Sequence, residues 1–302
     1  MAIRAANAPL SYGAFEVTVG VYPNVPGPDD LLAEIAAAGY EATELGPPGY
    51  LGGEPDLGPR LERHGLELTG GWCPIRFSEP AHRDDDLREL DRTLSLFAAA
   101  GAADARPVFG DGGSPARVAN PGRGAEDPSL GLDGAGWKRW AEGMKRAQEL
   151  AARRGFEPTL HAHTATHVEA PWEIERVLEL TDVGLLVDTG HLLIGGTDPI
   201  QALRDWGERV NYVHVKDVRL DVLRQVVADR ADMLEAWRRG IFCELGEGDV
   251  DLEAFFAALG EAGYQGWIVV EQDRIPRPDE DLAESAAAQV RNRAWLRDHA
   301  GI

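Results

Sequence analysis

Three of the chain's eight histidines, His161, His163 and His167, fall within seven positions of one another in the stretch Pro-Thr-Leu-His-Ala-His-Thr-Ala-Thr-His at 158–167. Two other runs carry ionisable groups at the same relative place. Residues 185–191 read Leu-Leu-Val-Asp-Thr-Gly-His and supply Asp188 and His191, and residues 210–217 end in His214, Lys216 and Asp217. A fourth run, at 267–273, closes on Glu271 and Asp273. Imidazole nitrogens with carboxylate oxygens are ligands for a divalent ion such as Mn²⁺, Co²⁺, Fe²⁺ or Zn²⁺. Singly, each residue has a plainer reading. A histidine near a strand end is more often a structural hydrogen-bonder than a ligand, Asp188 can cap the helix that follows, and Glu271 can form a rim salt bridge. Five imidazole or acid groups at the ends of successive apolar runs are harder to explain that way.

Lysine is scarce, occurring only at 138, 145 and 216, so Lys216 beside His214 stands out. As an ammonium it can stabilise an enolate; with a depressed pKa it can exchange protons; an ion pair with Asp217 is the ordinary alternative. Glu44, in Thr-Glu-Leu-Gly-Pro-Pro-Gly-Tyr at 43–50, either holds substrate hydroxyls or braces its loop. His161 and His163 are two apart and can point the same way along a strand, and either could be a ligand.

These groups need a scaffold that gathers strand ends. Eight short apolar runs, at 3–9, 42–45, 66–72, 105–109, 157–163, 184–188, 211–215 and 267–271, alternate with helical patterns at 28–39, 57–64, 84–100, 137–154, 171–180, 199–207, 252–262 and 281–299. That alternation predicts a parallel sheet covered by helices, and eight repeats in 302 residues predict one closed (β/α)8 TIM barrel spanning 1–302. In such barrels the chemistry lies at the C-terminal ends of the strands. A long irregular stretch at 110–136 reads as a lid or mobile insertion, and 218–240 as a helical insertion. No Gly-x-Gly-x-x-Gly follows the first strand, and there is no P-loop, Gly-x-Ser-x-Gly elbow or Cys-x-x-Cys. Trp72, Trp137, Trp172 and Trp267 could line an apolar wall or fill the core.

Bulk properties narrow the partners. A formal charge of −21 repels nucleic acid and anionic membranes and suits a cation or a small neutral substrate. No run approaches the roughly 20 apolar residues of a membrane span. With no signal-peptide pattern and only Cys73 and Cys243, a cytoplasmic protein without disulfides is expected, possible homo-oligomer included.

Five stretches carry a resemblance: 7–13, 43–50, Asp188-Thr-Gly-His191, Val-His-Val-Lys-Asp-Val at 213–218 and Gly-Trp-Ile-Val-Val-Glu at 266–271. The chain resembles the xylose-isomerase-like barrels of sugar isomerases and epimerases, and within them the inosose dehydratases of inositol catabolism. The resemblance implies a divalent ion, usually Mn²⁺ or Co²⁺, held by a fifth-strand residue with Asp188, His214 and Glu271. Sugar isomerases have a glutamate on the fifth strand, whereas this chain has His161, as dehydratase-like members do. It departs from the dehydratases in reading Leu-Gly-Glu-Gly before the eighth strand and in its short Glu-Gln-Asp end. The expected activity is a lyase that dehydrates a cyclic ketopolyol through an enolate, with Lys216 or His163 as base and Glu44 or His191 as acid. The alternatives are isomerisation or epimerisation of a ketose or 3-ketoglycoside, elimination of an aglycone, or a non-catalytic sugar- or metal-binding protein.

Overall fold

The computed structural model describes residues 3–302. Eight strands close a parallel barrel: β1 (Ile3–Asn7), β2 (Ala42–Glu44), β3 (Glu67–Ile75), β4 (Arg106–Asp111), β5 (Thr159–His161), β6 (Gly184–Asp188), β7 (Val210–Val215) and, after a two-stranded hairpin of β8 (Asp217–Val218) and β9 (Phe242–Cys243), β10 (Gly266–Val270). The closed order is β1-β10-β7-β6-β5-β4-β3-β2. Helices α1 (Pro28–Ala37), α2 (Glu54–His64), α3 (Arg83–Ala99) and, beyond a short α4 (Pro115–Val118), α5 (Gly134–Arg153) follow the first four strands. The second half adds α6 (Pro171–Leu180), α7 (Thr189–Ile194), α8 (Pro199–Trp206), α9 (Leu220–Asp229), α10 (Met233–Arg238), α11 (Leu252–Glu261) and α12 (Leu282–Trp295). Among the described residues no helix is long and apolar enough to cross a membrane.

Local chemistry accounts for the helices. The first, α1, starts at Pro28 with Asp29 and Asp30 in its first turn, where the free amide groups and the dipole favour both. It stops at Gly39, whose φ of 92° only glycine adopts cheaply. Its buried face carries Leu31, Leu32 and Ile35 at helical spacing, each worth about 1.5–3 kcal/mol when removed from water.

Two apolar layers result. The larger lies between sheet and helices; the smaller fills the barrel with Ala6, Ala42, Val108, Leu186, Tyr212 and Val269. Side chains alternate across a strand, so the residue two further along also points inward. Stepping two from Ala42, Leu186, Tyr212 and Val269 gives Glu44, Asp188, His214 and Glu271. Period two therefore stacks an ionisable layer on the inner apolar layer, at the C-terminal rim.

The boundaries differ from expectation at several places, beginning with β1, which ends at Asn7 instead of residue 9 because Pro9 starts a 3-10 turn over Pro9–Tyr12. On β3 and β4 the strand runs on to Ile75 and Asp111, because Trp72 lies across Gly110 and the two strands stay paired to their ends. A Cβ at Gly110 would stand 1.9 Å from the Trp72 ring. The fifth strand is shorter than 157–163 and ends at His161, since residues 163–168 turn back on themselves through the Val168 and His163 carbonyls. The stretch at 110–136 is neither wholly irregular nor loose. It contains α4, gives its last residues to α5, and is fastened by Arg117, which is fully buried, donates to the Thr166 carbonyl at 2.6 Å and pairs with Glu173 at 2.7 Å. The segment at 218–240 is helical, as α9 and α10 between the strands of the hairpin.

Candidate metal centre

One donor atom from each of His161, Asp188, His214 and Glu271 lies within 4.8 Å of the others, and all four residues are buried. Neighbouring strands set this up: Asp188 pairs with His214 across β6 and β7, and the Glu271 amide donates to the Val215 carbonyl. His161 must carry its proton on Nδ1, because that nitrogen sits 2.9 Å from a carbonyl oxygen, that of Ala162. Its Nε2 faces Asp188 Oδ2 at 3.5 Å.

The His214 ring is held from both sides. Nε2 lies 3.0 Å from Glu44 Oε1, which also accepts from the Tyr212 hydroxyl at 2.9 Å. Nδ1 faces Glu271 Oε2 at 3.0 Å and Asp188 Oδ2 at 3.8 Å. Burial disfavours charge on this ring, but Glu271 and Glu44 outweigh it and hold the pKa up at about 10. A carboxylate behind a ligating imidazole fixes the ring and raises its basicity, and Glu44 stands in that position. The backbone leaves room for it: a Cβ at Gly70 would come within 3.2 Å of both Glu44 Oε1 and the Tyr212 hydroxyl.

The donor set fits a divalent cation. Asp188 Oδ2 and His214 Nδ1 are buried without a hydrogen bond of acceptable angle, so each has a lone pair or proton unspent toward the same point. Lys216 is the local positive charge, with Nζ 2.7 Å from Asp273, 3.0 Å from Glu271 and 3.3 Å from Asp188. Burial lowers its pKa, yet those three carboxylates raise it further, so it is held as an ammonium. Asp188 and Glu271 are correspondingly held ionised: burial opposes this, and Lys216 and the histidines override it.

A second group of His161, His163 and His191 also brings three ring nitrogens together, without a carboxylate. His163 bonds the Thr164 carbonyl through Nδ1 at 2.8 Å, leaving Nε2 unprotonated, and burial followed by the nearby His191 and His161 drives its pKa well down. His191 is 1% exposed, with its Nδ1 against Thr164 at 2.9 Å and its Nε2 against Lys216 at 3.0 Å.

A cavity of 370 Å³ opens above the cluster. Glu44, His163 and Lys216 line it; His191 does not, lying behind Lys216 instead of presenting an acid to it. Two other expectations need correction. Asp217 faces away and accepts from the amides of Val218, Gly246, Gly248 and Val250, fixing the turn at 246–250 rather than pairing with Lys216. Of the four tryptophans considered for a wall, Trp72 lines the cavity, Trp137 and Trp172 pack on each other, and Trp267 sits at the other barrel end under Arg4 at 3.9 Å. His167 bonds Asp111 at 2.8 Å, in the loop beyond the fifth strand.

The sequence reading missed Phe15, Glu16 and Trp237, which complete the cavity wall. Phe15 meets Trp237 edge-on at 5.1 Å, joining the loop after β1 to α10. The only signal for them was their place in connections that follow β1 and β7 at the rim.

An eight-stranded parallel barrel with two imidazoles and two carboxylates converging at its C-terminal rim is a (β/α)8 scaffold furnished to hold a divalent ion. The family model described as xylose isomerase-like TIM barrel matches residues 32–299, and the chain belongs to that family. A relative from Geobacillus kaustophilus (strain HTA426) named inosose dehydratase is 36% identical over 252 residues, covering 82% of this chain and 80% of its own length. One of the same name from Klebsiella pneumoniae subsp. pneumoniae is 32% identical over 282 residues, 90% of each chain. Among solved structures, the IOLI protein with a bound zinc atom superposes with a TM-score of 0.69 at 16% identity, over 99% of this chain and 98% of that one. The 3-keto-D-glucoside 4-epimerase YcjR of E. coli gives 0.66 at 19% identity, over 99% of each. At those identities the two structures speak for the fold.

Proposed function

We propose that this chain removes water from a cyclic ketopolyol such as an inosose, by way of the enolate of its ketone, with His161, Asp188, His214 and Glu271 holding a divalent cation. The observation that carries this reading is the convergence of one donor atom from each of those four residues, with Asp188 Oδ2 and His214 Nδ1 lacking a hydrogen bond of acceptable angle, beneath a cavity of 370 Å³. Relatives named inosose dehydratase that align along most of both chains supply the substrate class. Two nitrogens and two carboxylate oxygens suit Mn²⁺ or Co²⁺. A cation held there would act as a Lewis acid on the ketone and acidify the neighbouring C–H bond.

The chain's own groups do the rest. His163, neutral and with Nε2 free, takes the α-proton. Lys216, fixed as an ammonium at the cavity wall, stabilises the negative oxygen that results. Glu44 keeps His214 oriented through its Nε2. Trp72, Phe15 and Trp237 face the ring carbons and exclude water. Cys73 and Cys243, both free and buried, are compatible with a reducing cytoplasm.

The test is nuclear magnetic resonance of inosose in D₂O with protein reconstituted with Mn²⁺ or Co²⁺. Dehydration gives an enone-type product; α-deuteration with every hydroxyl retained would move the assignment to an epimerase or isomerase. Neither change under any divalent metal overturns the reading.

A further inference from the structure

Losing a hydroxyl from an enolate needs an acid, since hydroxide is a poor leaving group. The wall of the cavity identifies which side chain is available for it. Apart from His161, His214 and Glu271 of the cluster, its ionisable lining is Glu16, Glu44, His163, Lys216 and Asp273. Most of these are engaged. Glu44 accepts from Tyr212 and His214, and Lys216 and Asp273 hold each other at 2.7 Å. His163 has already been given the α-proton. The Glu16 carboxylate makes no hydrogen bond or ion pair with another of the described residues, and it reaches both the cavity and solvent.

Its backbone is nonetheless firmly placed. Buried Thr18 ties the turn through its hydroxyl, which accepts from the Phe15 amide at 2.9 Å and lies 2.5 Å from the Gly13 carbonyl. Phe15, the preceding residue, is packed on Trp237. The barrel order adds the decisive relation: β1 and β5 are four strands apart in both directions around the closed sheet. The loop after β1, with Glu16, and the residues after β5, with His163, therefore confront each other across the rim. A ring bound between them has a base on one side and a carboxyl group on the other.

We propose that Glu16 is the general acid that protonates the departing hydroxyl. This rests on the dehydration reading and deepens it. The α C–H proton goes to His163, the electron pair of the enolate forms the new C=C bond, the β C–O bond breaks, and the Glu16 proton leaves with the hydroxyl as water. Glu16 is left as a carboxylate, and both groups return to their starting state by proton exchange with solvent. The surrounding protein and the nearby carboxylates of Asp273 and Glu271 push the Glu16 pKa upward, against a hydrogen bond from its own backbone amide, the direction an acid needs.

The experiment compares wild type with E16Q, both metal-loaded, on inosose and on an analogue bearing fluorine in place of the departing hydroxyl. Fluoride leaves without a proton, so only the first reaction needs the acid. We expect E16Q to lose roughly 10²–10⁴-fold in kcat for water loss with KM little changed. Its α-deuterium exchange and fluoride release should stay within a fewfold of wild type. Water loss by E16Q at the wild-type rate overturns the assignment alone. So does a parallel fall in exchange and fluoride release, which would mean that Glu16 binds substrate. A wild type that neither exchanges nor eliminates overturns the dehydration reading and this assignment together.

Discussion

His214 carries three relations at once: a donor toward the cluster, a ring edge toward Glu44, and a proton it holds up to a pKa of about 10 when no cation competes for it. Two outcomes follow at this scale. Glu44→Ala removes the ring's brace, and divalent-metal affinity should fall about 10–100-fold in a competition titration with a chelating dye, with Glu44→Gln between that and wild type. The proton gives the second. The folded-state pKa lies above the unfolded value of 6.5, so the stabilisation from charged His214 is complete below about pH 6.5 and is lost as the pH climbs through about 10. Chelator-treated protein should therefore lose Tm over that window, while metal-loaded protein, in which the ring has given up its proton, should not. Calorimetric titrations at pH 8 in buffers of different ionisation enthalpy should show proton release on metal uptake.

The four clustered residues were legible because each ends an apolar run of clear β character, and the barrel converts run ends into neighbours. Roles were less so. Nothing in the order of residues says that Glu44 lies behind His214, that His191 lies behind Lys216, or that Lys216 is matched by three carboxylates. Those relations hold between residues 25 to 170 positions apart. Asp217 misled because three of its four amide partners lie 29 to 33 residues away, in the turn after β9.

Among the elements, the connection between β4 and α5 shows how far composition can misdirect. Its Gly, Pro and Asp content reads as mobile, yet Arg117 at 0% exposure ties it to the loop before α6. Glu173 accepts from Arg117 and from the amides of Glu169 and Ala170, while Glu169 accepts from the amides of Ala165 and Gly124. One buried cation thus balances two buried carboxylates, and burial raises the Glu169 pKa to about 7. Arg117→Ala strands both, and should cost about 3–5 kcal/mol in urea or guanidinium unfolding. Because residues 163–167 lie in the loop it fastens, the variant should also lose activity at temperatures where it remains folded. A loss below about 1 kcal/mol would mean that the loop does not depend on the pair. Nothing in the order of residues anticipates this, since Arg117 and Arg123, scattered among Gly, Pro and Asp, follow no helix or strand period.

At the scale of the whole molecule the barrel was readable from the alternation of runs alone, because parallel strands must be joined by crossovers and eight of them close. The strand errors are confined to ends, where a Trp-over-Gly contact lengthens β3 and β4 and a local turn shortens β5. At the C-terminal rim three buried carboxylates, Asp188, Glu271 and Asp273, surround the single lysine there. On the proposed reading the cluster holds one divalent cation, and dehydration depends on it. The most direct measurement titrates chelator-stripped protein with Mn²⁺ and follows metal bound per chain by elemental analysis alongside the absorbance of the enone formed from inosose. Product formation should rise in step with occupancy and level off at one ion per chain, and Asp188→Asn should abolish both. Stripped protein that dehydrates inosose as fast as the loaded form would contradict that dependence.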